Sequence, residues 1–146
     1  MEKELEAYLH KHIPLSKAMG IRVEKADPGQ VILWAPFAPN INHKQTVFGG
    51  SLHALTTLAC WGLVYANLKQ TEEASAQIVI TKSDVAYLAP VDGDFRAECL
   101  RPADDEWQRF FNMLRLKGKA RLNLMATIHH AGRLCVDYRA TFAAIK

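Results

Sequence analysis

Between Leu52 and Leu68 the apolar residues fall on every side of a helical wheel: Leu52, Leu55, Leu58, Ala59, Leu63 and Ala66 leave no continuous polar stripe. A helix of this kind needs cover on more than one face, so the pattern predicts a long helix buried inside a wrapping sheet. His53, Thr56 and Thr57 interrupt the run, which falls short of the ~20 residues a bilayer span requires. No membrane partner is expected.

The flanking segments carry other periods. Residues Glu2 to Lys11 place Leu5, Tyr8 and Leu9 at helical spacing among charges, which predicts a short amphipathic helix closed before Pro14, with a further turn reaching Gly20. From Ile21 to Pro36 the composition is that of strands, with Asp27-Pro28-Gly29 as the turn of a first hairpin. A polar, asparagine-rich loop from Ala38 to Phe48 then delivers the chain into Gly49-Gly50-Ser51 and the long helix.

Beyond that helix the spacing predicts strands over Gln77 to Leu88, Phe95 to Arg101, Lys119 to His129 and Arg133 to Ile145, the last two joined across Ala131-Gly132. One helix interrupts them. Trp107, Phe110, Phe111 and Leu114 sit at helical spacing, with Asp104 or Asp105 as the expected N-cap and Gly118 as the stop. Hairpin, buried helix, then strands with a helical insertion make an antiparallel α+β layer architecture, not alternating βαβ.

Composition narrows the class. The 146 residues, 49% of them apolar, suffice for one sizeable core, so a single domain over 1–146 is expected. The net charge of +3 is spread out and demands no nucleic acid, although it suits an acidic or phosphorylated partner. Cys60, Cys99 and Cys135 lie far apart in apolar surroundings and read as core thiols of a reducing compartment. The first residues alternate charges with apolar positions and lack a signal-type run, so a cytoplasmic location is expected. His10, His12, His129 and His130 have no carboxylate or thiolate at ligand spacing, so neither a metal nor another cofactor is expected.

The run Asn40-Ile-Asn42-His-Lys-Gln-Thr46-Val-Phe48-Gly49-Gly50-Ser51-Leu52 carries the chemistry. Two glycines at a loop-to-helix junction let a carbonyl approach closely, and the unpaired amides of a first helical turn are donors aimed outward. Tight helix-sheet packing would also use glycine there. His53 and Thr57 are four residues apart and share a helical face, so His53 can serve as a base or orient a water, or be a hydrogen-bonded core residue. Asp84, beside Ser83 on the strand before Tyr87, is a second candidate base, reaching the site from the same or a neighbouring subunit, or else a solvated carboxylate. Arg115, Lys117, Lys119 and Arg121 suit a phosphate landing site, or a solvated basic edge that discourages strand pairing. Trp61 and Tyr65 continue the helix as core or interface residues.

This run, Asn42-x-x-x-Thr46-x-Phe48-Gly49-Gly50 opening a long buried helix, resembles the hotdog-fold thioesterases, whose usual form is an Asn, then Thr or Gly, then His-Gly-Gly. The resemblance continues through Tyr87-Leu-Ala-Pro90 and Asp92-Gly-Asp94 to the C-terminus, and is nearest to a bacterial thioesterase domain sometimes fused behind an N-acetyltransferase domain. It implies a hotdog fold, homodimers or tetramers of such dimers with sites at the sheet-to-sheet interface, and hydrolysis of acyl-thioesters of coenzyme A or acyl-carrier protein, as in fatty acid metabolism. The Gly49 amide would then hold the carbonyl and Asn42 the water, with Thr46, Phe48, Gly50, Ser83 and Tyr87 as candidate substrate contacts and Lys117 and Lys119 of the basic series on the coenzyme A phosphates. Thr57 stands where many relatives carry an Asp or Glu, so their carboxylate mechanism does not transfer intact, and the general base stays open among His53, Asp84 and a water held by Thr57. A binding module without catalysis is the alternative. A dehydratase would need a loop His and a helix carboxylate where this chain has Phe48 and Thr57.

Overall fold

The structure, a computed structural model, describes residues Met1–Lys146. In chain order it comprises α1 (Glu2–His12), α2 (Pro14–Ala18), β1 (Arg22–Asp27), β2 (Gln30–Ala35), a 3-10 turn (Ala38–Asn40), α3 (Gly49–Leu68), β3 (Gln77–Tyr87), β4 (Phe95–Leu100), α4 (Asp104–Lys117), β5 (Lys119–His130) and β6 (Arg133–Ile145). The six strands form one sheet in the order β1-β2-β4-β5-β6-β3, antiparallel throughout. α3 touches every strand. The sheet is therefore curled around the helix in the hotdog arrangement, and the all-round apolarity of α3 is the cause.

The inner face follows the period of two. Ala120, Leu122, Leu124, Ala126 and Ile128 of β5 are buried, as are Tyr138, Ala140 and Phe142 of β6, while the intervening residues of β5 and Arg139 of β6 face outward. With α3, these join Leu33, Phe95 and Ala97 in one core cluster of 36 buried residues. At the β5–β6 turn Ala131 (φ 53°) and Gly132 (φ 74°) both take the left-handed conformation that a tight two-residue hairpin requires.

α4 differs from expectation at its start. Ala103 is the N-cap and no side chain caps the helix; Asp104 is instead ion-paired with Arg101, and Asp104, Asp105 and Glu106 oppose the helix dipole from the first turn. α4 ends at Gly118 (φ 74°), as its sequence requires. It buries Trp107, Phe110 and Leu114 beside β5, whose pairing with β4 stops at Ala126–Cys99.

The two sheet edges are treated differently. On β1, the Val23 amide donates to a Glu6 carboxylate oxygen and the Ala26 amide to one of Glu2, each at 2.8 Å, so α1 blocks that edge. β3 pairs only with β6, and its other edge is open beside exposed Val79, Ile80, Tyr87 and Leu88. No helix is long and apolar enough to cross a membrane. Cys60, Cys99 and Cys135 are free and buried.

Candidate active site

The loop before α3 is built by its asparagines. Asn42 Oδ1 accepts the amides of Lys44 (2.8 Å) and Thr46 (3.2 Å), and its Nδ2 donates to Thr46 Oγ1 at 2.9 Å. That clamp holds Gln45 in a left-handed conformation (φ 63°), an arrangement uncommon for a residue with a Cβ. One Nδ2 hydrogen of Asn42 is left for a ligand or water. Asn40, which opens the Asn40–Leu52 run and to which the sequence assigns no role, is buried; its Nδ2 donates to the carbonyls of Met19 and Pro36 and its backbone carbonyl accepts the Phe48 amide at 2.8 Å. The Val47 amide is fixed by the Val91 carbonyl at 2.8 Å. The peptide entering the helix is thus held from three sides.

The N-cap of α3 is Phe48, which has no side-chain acceptor to offer. Its carbonyl accepts the amides of Ser51 and Leu52, whereas the N–H groups of Gly49 and Gly50 have no partner in the protein. These are the free donors that the sequence pattern implied. A Cβ on Gly50 would collide with the Phe48 ring, so glycine there lets the ring fold over the helix start. Beside Gly49 lies a cavity of ≈ 330 Å³ lined by Val47, Leu52, Leu88 and Pro90, with Tyr87 across it.

Further along the same face, His53 Nε2 lies 3.0 Å from Ser83 Oγ, and the His53 ring meets the Tyr138 ring edge-on at 5.6 Å. Thr57 Oγ1 is 2.8 Å from the Tyr138 hydroxyl. Burial pushes the Tyr138 phenol up to about 12, with the Thr57 hydrogen bond opposing the rise, so it remains protonated near neutrality. Thr57 is therefore tied to a neutral phenol and has no base beside it.

The structure brings Asn42 together with Thr46, Gly49 with Tyr87 and His53 with Ser83. It does not bring Asp84 to them within one protomer. Ser83, Val85 and Tyr87 face the helix, and the strand period turns Asp84 to the outer face opposite Arg139. Lys117 and Lys119 are also remote from Gly49 in the protomer, because β5 starts opposite Ile145, which pairs with Gln77 at the far end of β3 from Tyr87. Tyr138 went unnoticed in the sequence since an aromatic on a strand reads as core; only register aligns it with Thr57.

Over residues 2–146 the chain matches the family model described as "Putative thioesterase (yiiD_Cterm)". It belongs to that thioesterase family. A protein of unknown function from Chlorobaculum tepidum TLS is 38% identical, with a TM-score of 0.93 over 99% of this chain and 94% of the other. A structure titled a putative thioesterase, from Shewanella oneidensis, is 28% identical with a TM-score of 0.83, covering 99% and 97% of the two chains. One titled a probable thioesterase, from Pseudomonas aeruginosa, shares the fold at 24% identity and a TM-score of 0.82, covering 99% and 96%. Family membership supports a role in thioester hydrolysis in general terms.

Proposed function

We propose that the protein hydrolyses acyl-thioesters of coenzyme A or of acyl-carrier protein to the free acid and the thiol. The observation that carries this reading is the pair of free amides, Gly49 and Gly50, at an uncapped helix start beside a cavity. A thioester carbonyl set against them develops negative charge as water adds, and each such donor is worth roughly 3 kcal/mol in acyl transfer. Asn42 offers its remaining N–H to the water. His53, four residues on and about 6 Å along the axis, is the base, with Ser83 orienting the imidazole.

The working form in this reading is a homodimer, or a tetramer of dimers. What supports it is the contrast between the edges: β1 is capped by Glu2 and Glu6, and β3 is open, with Val79, Ile80 and Tyr87 exposed along it. Self-association through one edge closes after two copies and does not propagate. A binding module without turnover is the second reading, favoured by the Thr57–Tyr138 pairing where relatives place a carboxylate.

A thiol-release assay over short, medium, long and aromatic acyl-CoAs, with Asn42→Ala alongside, tests the proposal. Hydrolysis lowered in the variant is the expected result. Saturable binding with no thiol released from any substrate selects the binding module.

A further inference from the structure

After Cys99 the sheet splits. β4 pairs with β5 only from Ala97–Ile128 to Cys99–Ala126; beyond that it keeps to β2, and the Arg101 amide donates to the Gly29 carbonyl at 3.0 Å. From Lys119 to Leu124, β5 therefore has β6 on one side and no strand on the other. Residues of an antiparallel strand turn both N–H and C=O alternately to either side, so at least two residues of this stretch present both groups to the split. α4 lies beside it and buries Trp107, Phe110 and Leu114, yet neither its backbone nor its side chains bond to β5.

Two cavities, of ≈ 420 and ≈ 360 Å³, follow the seam between α4 and β5 and share Glu106 and Asn123, so they form one groove. Every residue of β5 from Ala120 to Thr127 lines it. Ala120, Leu122, Leu124 and Ala126 point into the core and so meet the groove through their main chain. The floor is thus an open backbone edge, about 25 Å long at the rise of a strand.

The walls differ from end to end. At the β4 end stand exposed Leu100 and Met125 with the carboxylates of Glu98 and Glu106, and the one cation there, Arg101, is already ion-paired with Asp104. Glu98 accepts from the neutral Gln30 amide, which leaves its charge uncompensated. At the other end stand Met113, Arg109 and Arg121. None of Glu98, Glu106, Arg109 and Arg121 belongs to an ion pair of the protein.

We propose that this groove binds an extended peptide segment of a partner protein, which adds as a strand to β5 along the line that β4 abandons. Antiparallel pairing, as β4 makes, runs the segment from Leu100 towards Arg121. It then carries basic residues at its N-terminal end, opposite Glu98 and Glu106, and acidic ones at its C-terminal end, opposite Arg109 and Arg121. An apolar side chain near its start rests on Leu100 and Met125. Main-chain bonds supply affinity, and the two charged ends set the direction. None of the lining residues belongs to the Gly49 site, so binding stands apart from thioester hydrolysis.

The probe is a fluorescein-labelled peptide of two lysines, alternating valine and threonine, and two aspartates, titrated against the full chain by anisotropy. Exchanging its lysines and aspartates should weaken binding about tenfold, and so should a central proline, which lacks the N–H that pairing needs. Glu106→Lys combined with Arg121→Glu, both at exposed positions, should reverse the preference between the two charge orders. Amide hydrogen exchange read by NMR should slow within Ala120–Leu124 when the peptide is bound. Absence of binding, equal affinity for the exchanged or proline peptide, an unreversed preference in the double variant, or protection that falls on the open edge of β3 overturns the proposal. Protection of the same β5 amides without peptide, with a doubled mass, makes a second copy the occupant and overturns it as well.

Discussion

Thr57 of α3 and Tyr138 of β6 share a hydrogen bond of 2.8 Å between their hydroxyls across the inner face of the sheet. Tyr138 is fully buried, so deleting the Thr57 hydroxyl strands a phenol that water cannot reach. Thr57→Val should cost about 1–3 kcal/mol, read as a Tm drop of about 2–4 °C per kcal/mol. The double variant with Tyr138→Phe should cost less than the sum of the single changes, because both partners then leave together. Strict additivity in thermal denaturation would show that the bond contributes nothing.

Gly49→Pro isolates the donor on which the chemistry is proposed to rest. Proline is tolerated at the first position of a helix, and Phe48, at φ −58° and ψ 133°, already has the backbone that a following proline demands. A side chain there meets Tyr87 only at ordinary contact distance, 3.5 Å. The variant should keep its Tm and lose about 10²–10³ in kcat, with KM much less affected. Unchanged kcat in a folded variant would exclude the Gly49 amide from the reaction.

Most elements were readable in the sequence because each has a single period: α3 apolar on all sides, β5 and β6 alternating, Gly118 and Gly132 at the stops. The loop motif was also legible as free amides, since two glycines at a loop-to-helix junction leave the first helical turn's donors uncovered. Less visible was whatever depends on which side of a strand faces the helix. Asp84 and Ser83 are neighbours in sequence, yet the pleat sends one outward to Arg139 and the other to His53. Asn40 and Asn42 have like chemistry, and only tertiary contacts with Met19 and Pro36 reveal that Asn40 braces the loop.

His53 and Ser83 make a separable pair of predictions. With His53 as base, His53→Gln should lower kcat by about 10²-fold or more. Ser83→Ala removes only the group that orients the ring at 3.0 Å. It should lower kcat by less. An unchanged kcat in a folded His53→Gln variant would remove the histidine from proton transfer.

Glu2 ties α1 to the β1 edge, and the Ala26 amide that donates to its carboxylate is the main cause of its lowered pKa. The sign follows from linkage. A carboxyl whose folded pKa lies below its ordinary value of 4.5 stabilises the fold above that pH, and the contribution fades as pH falls through the lowered folded value. The group is exposed, so the effect is small. Glu2→Ala should therefore lower Tm slightly at pH 7, with the gap to wild type closing as pH is taken below about 4.5 towards 3. Because the same carboxylate covers an edge amide, the variant should also self-associate more at pH 7, seen as a larger mass by light scattering, and acid should bring the wild type towards the same behaviour. A Tm gap that stays constant between pH 7 and pH 3 would mean that the Glu2–Ala26 bond adds nothing through its charge.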